Sequence, residues 1–246
     1  METIRIVIVD DEELARSIIR EYSGEHPEVE IVAECSNGFE AVKAITELKP
    51  DLVFLDVQMP KLNGFEVLEL IESDITVIFV TAYEQYAVKA FEVHAIDYLL
   101  KPFSRERFDE ALDRAKEKLS KEEPFPQVDL LRSARPNNET VERVLVREGS
   151  RVFVIPAAAI DYIEAQDDYV AIKADGKLHL KKQRLADLES LLDPKRFVRI
   201  HRSYILNVDR LARLELYAKD SRMAILKDGT QLQVSRTGYD KLKALL

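Results

Sequence analysis

The stretch LVFLDVQMP, Leu52–Pro60, decides the fold: four large apolar residues run without a break into Asp56. A run of that length with no polar alternation reads as a strand buried on both faces, the pattern of a parallel sheet. Working outward, similar runs stand at Ile4–Val9, Ile31–Ala33, Thr76–Val80 and Ile96–Leu100, bounded by charge, Pro or Asn. Segments of helical length separate them. The last of these opens on Ser104 as N-cap, with Phe103 and Phe108 spaced as a hydrophobic staple and Phe108, Ala111, Leu112, Ala115 and Leu119 on one face. Five strands alternating with helices predict a doubly wound, five-stranded parallel α/β sheet.

The chemistry lies where these strands stop. The first ends at Asp10-Asp11, the third at Asp56, the fourth at Thr81 and the fifth at Lys101. In a parallel sheet all carboxyl ends share one edge, where ligands bind beside the switch in strand order. Three carboxylates gathered there would raise one another's pKa unless a cation neutralised them, and hard oxygen donors suit Mg2+. Lys101 offers a point charge for phosphoryl oxygens and Thr81 a hydroxyl donor. Taken singly, each is an ordinary turn, cap or loop residue. Taken together they describe phosphoryl transfer to an aspartate.

At these positions the chain resembles the receiver domain of two-component response regulators, over roughly residues 3 to 120. The matches are Asp10 and Asp11, Asp56 with Pro60 and Gly64 following, Thr81-Ala82, and Tyr98 three before Lys101-Pro102. The resemblance implies a flavodoxin-like fold and Asp56 as phosphoacceptor. It implies Mg2+ ligation by Asp11, Asp56 and the backbone carbonyl of Gln58, with Asp10 acting mainly through water. Lys101 and Thr81 would contact the acyl phosphate, Tyr98 would swing inward as Thr81 moves, and the bond before Pro102 would be cis. The helix after Thr81, strand five and the last helix would form the responsive surface, with homodimerisation as the readout. Gln58 and Tyr83 occupy the positions that tune loss of the phosphoryl group, and bulky Tyr83 is expected to restrict the attacking water.

Charge separates the two halves of the chain. Residues 1–122 carry 14 Lys+Arg against 27 Asp+Glu, a balance of −13, whereas residues 123–246 carry 22 against 18, a balance of +4. Different jobs follow. Between the halves, Lys121–Asn138 holds three of the nine prolines and no sustained period. This predicts a receiver-like domain at 1–121, a linker at 122–138 and a second domain at 139–246.

The second half carries β signals. Val144–Val146 and Val152–Ile155 flank Arg147–Arg151, while Asp175-Gly176 and Asp228-Gly229 each sit between alternating runs such as Val170–Ala174 and Leu178–Leu180, or Met223–Leu226 and Gln231–Val234. Asp-Gly between alternating segments is a strong hairpin signal, so a mostly antiparallel β domain is expected. Only Leu185–Leu192 and a short piece after Thr237 read as helical, which does not support a helix-turn-helix reader. Basic residues gather at Lys181, Lys182, Arg184, Lys195, Arg196, Arg199 and Arg202. A phosphate-contacting surface and a strand edge protected by charge are equally good readings of that composition.

A second resemblance, to the LytTR DNA-binding domain over about residues 139 to 246, bears on that choice. It rests on FVRIHRSYILN at 197–207, preceded by IEAQDDYVAI at 163–172 and KKQRLADLESLL at 181–192 and followed by LQVSR at 232–236. It implies a β fold that places loops in successive major grooves of double-stranded DNA, with Arg202 and Arg236 as readers and the Asp168-Tyr169 loop as a weaker contact. The two acids Asp167 and Asp168 weigh against direct phosphate contact there. Arg suits guanine or phosphate through its two-pronged donor geometry. His201 and Asn207 serve equally as contacts or as braces of the loop, and Lys181 and Lys182 as phosphate contacts that position without specifying.

Other chemistry is excluded or unsupported. The seven glycines form neither a P-loop nor a dinucleotide fingerprint, and the four histidines show no metal spacing. The single cysteine, Cys35, forbids an internal disulfide and reads as a small buried hydrophobe, which suits a reducing interior. No uncharged apolar stretch approaches the ~18 residues of a membrane span, so no membrane partner and a cytoplasmic setting are expected. The reading that follows is a transcription regulator, not an enzyme, phosphorylated on Asp56 by a sensor histidine kinase and binding promoter repeats as a homodimer. Two rivals stand beside it. One is a signalling adaptor whose β domain binds protein or RNA. The other is an aspartate-nucleophile phosphatase, which would want a second acid where Gln58 stands.

Overall fold

The computed structural model describes residues 3–71, 75–86, 90, 95–120, 140–149, 151–218 and 221–245. The chain divides into two units, Met1–Pro136 and Asn137–Leu246. The expected linker at 122–138 lies outside the described residues, as does most of the expected helix after Thr81.

The first unit runs β1 (Ile4–Val9), α1 (Glu13–Ser23), β2 (Val29–Cys35), α2 (Gly38–Leu48), β3 (Leu52–Leu55), α3 (Gly64–Leu70), β4 (Thr76–Thr81), a 3-10 turn (Glu84–Tyr86), β5 (Asp97–Leu100) and α4 (Arg105–Ser120). All strands pair in parallel in the order β2-β1-β3-β4-β5. The order reverses between β1 and β3, so the helices cover both faces and a crevice opens at the carboxyl ends of those two strands. β3 and β4 are buried at every position, as their unbroken apolar runs require. Ile6, Ile8, Phe54, Ile78, Val80 and Leu99 pack on one face against Ile19 of α1 and Phe108, Ala111, Leu112 and Ala115 of α4. Each of the larger side chains among these contributes about 1.5–3 kcal/mol of burial.

Local signals set the helix starts. Asn37 accepts from the Glu40 N–H at 3.0 Å, and Asn63 and Glu66 form a reciprocal capping box at 2.9 Å in both directions. Ser104 Oγ accepts from the Arg107 N–H at 3.3 Å. Phe103 and Phe108 both stack edge-on against Tyr22, at 6.2 and 5.6 Å between ring centres, so the staple closes around α1. The Lys101–Pro102 bond is cis.

Among its described residues the second unit is β apart from two short helices and two 3-10 turns, Ala157–Ala159 and Val208–Arg210. It runs β6 (Arg143–Glu148), β7 (Arg151–Pro156), β8 (Ile160–Gln166), β9 (Tyr169–Ala174), β10 (Lys177–Lys181), α5 (Leu185–Leu191), β11 (Phe197–His201), β12 (Tyr204–Asn207), β13 (Leu211–Ala218), β14 (Ser221–Leu226), β15 (Gln231–Val234) and α6 (Arg236–Lys243). A central sheet of order β10-β9-β8-β12-β11 lies between two apolar layers. One face, through Ile163, Ile172 and Ile205, meets the β6–β7 hairpin and Leu185, Leu188 and Leu192. The other, through Val198, Ile200 and Leu206, meets Leu226, Leu232 and Val234 of the β13-β14-β15 sheet and Leu242 of α6. Ile205 and Leu206 point to opposite faces because strand side chains alternate. Asp175 and Gly176 both take positive φ, 48° and 75°, forming the two-residue turn their sequence predicts between Ala174 and Lys177. Among the described residues no helix is long and apolar enough to cross a membrane.

Candidate functional site

In the first unit, backbone pairing carries the five chemistry-bearing residues to one edge. Asp56 N–H donates to the Val9 carbonyl at 2.8 Å, setting the end of β3 against the end of β1 where Asp10 follows. Lys101 N–H donates to the Thr81 carbonyl at 2.9 Å, setting the end of β5 against that of β4. The carboxylate oxygens of Asp10, Asp11 and Asp56 then lie within 4.8 Å of one another. Asp10 is fully buried, Asp56 is 5 % exposed, and Asp11 is open to solvent.

The Lys101 ammonium sits among these acids, 2.7 Å from Asp10 Oδ2, 3.3 Å from Asp56 Oδ2 and 3.3 Å from Glu12 Oε2. Backbone amides supply further donors: Glu12 N–H to Asp10 Oδ1 at 3.0 Å and Gln58 N–H to Asp56 Oδ1 at 3.2 Å. Burial nevertheless dominates, and pushes both Asp10 and Asp56 above the ordinary carboxylate range despite the pull of Lys101. For Lys101 burial works downward, but the hydrogen bond to Asp10 and the charge of Asp56 outweigh it and hold the ammonium above its usual range. The Thr81 hydroxyl is fully buried and close enough to favour the charged Asp56, without completing a hydrogen bond. The site therefore holds more buried negative charge than one lysine satisfies.

Gly64 belongs to this construction. A Cβ at that position would stand 2.4 Å from the Asp56 carbonyl oxygen, so only glycine lets α3 begin this close to the acidic edge. Tyr98 is half-buried, and its hydroxyl donates to the Tyr83 carbonyl. Tyr83 is 43 % exposed. Cys35 is buried, and burial pushes its thiol up to about 12, which keeps it inert.

Sequence reasoning missed several partners. Glu12 joins the Lys101 cluster, and its only signal was adjacency to Asp10-Asp11. Asp97, 5 % exposed, takes Arg107 Nη1 at 2.9 Å and Arg114 Nη1 at 2.8 Å, while Arg107 also donates to the Tyr98 carbonyl at 3.1 Å. Burial raises the Asp97 pKa, but the Arg107 hydrogen bonds reverse this and hold it below the carboxylate norm. One turn of α4 separates Arg107 from Glu110, so nothing in sequence spacing marks a pairing back to β5.

In the second unit, strand register lines up another edge. Lys181 pairs with Val170, Ala165 pairs with Val170 on the other side, and Ala165 N–H donates to the Ser203 carbonyl at 2.9 Å. Beyond it, His201 pairs with Tyr204, and the Ile200 carbonyl accepts from Ser235 N–H at 2.8 Å and Oγ at 3.0 Å. Lys181-Lys182, Asp168-Tyr169, Arg202 and Arg236 thus occupy one end of the central sheet, although 68 positions separate the first of them, Asp168, from the last, Arg236. α6 is seated directly on β11: a Cβ on Gly238 would stand 1.9 Å from the Ile200 carbonyl oxygen, and Ser235 Oγ caps the helix through the Gly238 N–H at 3.0 Å. Arg202 and Arg236, each within two residues of the Ile200–Ser235 contact, are therefore held by one rigid joint. Both are exposed, and among the described residues neither side chain enters a hydrogen bond or ion pair.

The other candidates differ. Arg196 is paired with Asp209 at 3.0 Å and Arg199 with Glu189 at 3.0 Å, so they brace the fold. Lys181 directs its ammonium to the Leu145 carbonyl at 2.7 Å, leaving Lys182 as the exposed one of the two. His201 Nδ1 accepts from the Ser203 N–H at 3.2 Å and steadies the turn. Asn207 pairs with Phe197 at the opposite end of the sheet, is fully buried, and donates to the Ile160 carbonyl at 2.7 Å. Of the two roles open to Asn207 in the sequence, its surroundings are those of a brace. Tyr169 is 45 % exposed, and Asp167 beside it takes a φ of 48°.

A five-stranded parallel sheet with an acidic carboxyl edge, followed by a β domain with an exposed arginine-bearing edge, defines the class of response regulators that act on DNA. Comparisons with known proteins agree. The response regulator receiver domain model matches residues 6–113, and the LytTr DNA-binding domain model matches residues 150–246. An uncharacterized response regulatory protein of Yersinia pestis is 35 % identical over 99 % of this chain and 98 % of its own length. The transcriptional regulatory protein BtsR of Escherichia coli is 34 % identical over 98 % of each chain. The sensory transduction protein LytT of Bacillus cereus is 32 % identical over 99 % of each. The chain belongs to the LytTR-type response regulators, and is a response-regulator transcription factor.

Proposed function

We propose that Asp56 is the phosphoacceptor, charged by the phosphohistidine of a sensor histidine kinase, and that the modification controls dimerisation and promoter binding in the cytoplasm. The observation that carries this reading is the position of Lys101, whose ammonium bridges Asp10 and Asp56 at 2.7 and 3.3 Å beside the buried Thr81 hydroxyl. In the transfer, an Asp56 oxygen forms a bond to phosphorus as the bond from phosphorus to the donor imidazole breaks, and the imidazole nitrogen retains the electron pair. Lys101 then exchanges a carboxylate for a phosphoryl oxygen, and Thr81 supplies a donor.

The donor set fits Mg2+. Three carboxylates reach within 4.8 Å of one another, and two of them are buried where their charge is disfavoured. Asp11, Asp56 and the backbone carbonyl of Gln58 are the groups to hold the ion, with Asp10 acting through water. When bound, the ion neutralises charge on the phosphoryl oxygens. Thr81 moves toward the phosphoryl group, Tyr98 leaves the Tyr83 carbonyl and swings inward, and β5 with α4 transmits the change. In the second unit Arg202 and Arg236 read bases or phosphates of double-stranded DNA, Tyr169 and Lys182 flank them, and Lys181, His201 and Asn207 brace the surface. Two copies on repeated sites gain affinity through effective concentration.

The test is direct. Incubation with acetyl phosphate and Mg2+ gives one phosphoryl group per chain by intact mass, and Asp56→Asn gives none. Continuous turnover of a small phosphoester without a stoichiometric adduct contradicts the proposal.

A further inference from the structure

Gln58 touches two things. Its backbone N–H donates to Asp56 Oδ1 at 3.2 Å, and its side-chain Nε2 donates to the Tyr86 hydroxyl at 3.2 Å across 28 positions of sequence. Tyr86 is itself held: its ring meets Phe65 at 6.0 Å and Tyr83 at 6.1 Å, and Phe65 packs on buried Phe79 of β4 at 4.9 Å. The turn that carries it is tied at its other end, where the Tyr83 carbonyl accepts from Tyr98. An exposed, flexible carboxamide beside the acceptor is thereby fixed to a well-packed aromatic group.

We propose that Tyr86 is a positioning residue that sets the lifetime of phosphorylated Asp56 by restraining Gln58. This rests on Asp56 being the phosphoacceptor. Loss of the phosphoryl group needs a water oxygen to bond to phosphorus opposite the Asp56 oxygen, breaking the P–O bond to Asp56. The products are the free carboxylate, inorganic phosphate and one released proton. The Gln58 side chain begins two residues from the acceptor, is exposed, and is drawn to Tyr86. Held on Tyr86 by its amide donor, the carboxamide cannot turn to orient the incoming water. Released, it offers both a donor and an acceptor to that water. The phosphorylation step does not require the Tyr86 hydroxyl, since the hydroxyl touches neither Asp56 nor Lys101.

The experiment uses the full chain, labelled with acetyl phosphate in Mg2+, freed of donor and followed by intact mass. Each decay curve is normalised to its own starting label. Tyr86→Phe removes one hydroxyl and keeps the ring, so the expected result is decay about 3- to 10-fold faster than the parent, the worth of one neutral hydrogen bond. In a Gln58→Ala background the same substitution should change nothing, because Tyr86 acts through Gln58. Urea midpoints within error of the parent for Tyr86→Phe separate this from a packing defect. Equal or slower decay in Tyr86→Phe overturns the proposal, as does an undiminished effect when Gln58 is absent. Failure of the parent to take label at all overturns the phosphoacceptor reading itself, a different outcome from a labelled protein indifferent to Tyr86.

Discussion

Gly64→Ala should disable the acidic edge without touching any charged group. The new Cβ would lie 2.4 Å from the Asp56 carbonyl oxygen, whereas ordinary contact begins near the 3.4 Å found around Gly24, so the two backbones must part by about 1 Å. Neither is free to move. Asp56 is tied by its N–H to Val9 and Gly64 by its N–H to Val57 at 2.9 Å, and α3 is fixed by the Asn63–Glu66 box. Overpacking of this kind costs about 1–3 kcal/mol of stability. A reacting group misplaced by about 1 Å can lose on the order of 100-fold in rate. The assay is the initial rate of phosphorylation by acetyl phosphate in saturating Mg2+, read beside a urea midpoint. Gly24→Ala is the control, since its φ of −65° suits any residue and its added Cβ meets only ordinary contacts. A Gly64→Ala protein with parental stability and a rate within threefold of the parent would refute the packing argument.

Other outcomes follow from the same geometry. Because the folded-state values of Asp10 and Asp56 are raised above the ordinary 3.8, the folded protein binds the extra protons, and stability in Mg2+-free buffer should fall as pH rises from about that value through the folded values. Asp56→Asn should flatten that dependence in urea titrations. Mg2+ at about 100 times its Kd should add ~2.7 kcal/mol to the parent and distinctly less to Asp10→Asn, measured by thermal unfolding. Asp97→Ala should cost ~2 kcal/mol, below the range for fully buried pairs because the Arg114 side chain is 57 % exposed, and the loss should shrink on acidification since the Asp97 pKa is lowered. Arg202→Ala should weaken DNA binding by about 1–3 kcal/mol, while Lys182→Ala should mainly reduce the salt slope by about one unit. Asn207→Ala should instead lower the unfolding midpoint, its buried amide lost from the Ile160 carbonyl.

The first unit was legible because its central strands are buried on both faces and announce themselves as unbroken apolar runs. The apolar run of β2 covers only Ile31–Ala33 of Val29–Cys35, because this is an edge strand whose Glu30 and Glu34 interrupt the pattern at exposed positions. In the second unit the Asp-Gly turns marked their hairpins, but the β11–β12 hairpin turns through Arg202-Ser203, which carries no glycine, asparagine or proline signal. It was visible only as a motif. β13 was hidden by two register irregularities that break its alternation. The acidic edge could be assembled from strand ends alone, since parallel topology obliges them to converge. The restraint on Gln58 could not, because its partner is fixed by ring packing 28 residues away. Charge composition also misled in detail: several basic residues of the second unit, Arg196, Arg199 and Arg210 among them, are paired with acids of the same unit, whereas Arg202 and Arg236, named by motif position, are exposed at the sheet end.

The most direct measurement is the affinity of the full chain for its DNA site, with and without acetyl phosphate and Mg2+, for the parent and Asp56→Asn. Tighter binding on phosphodonor in the parent and no response in Asp56→Asn is the predicted result. An Asp56→Asn protein that takes no label yet tightens on DNA as the parent does would contradict the account.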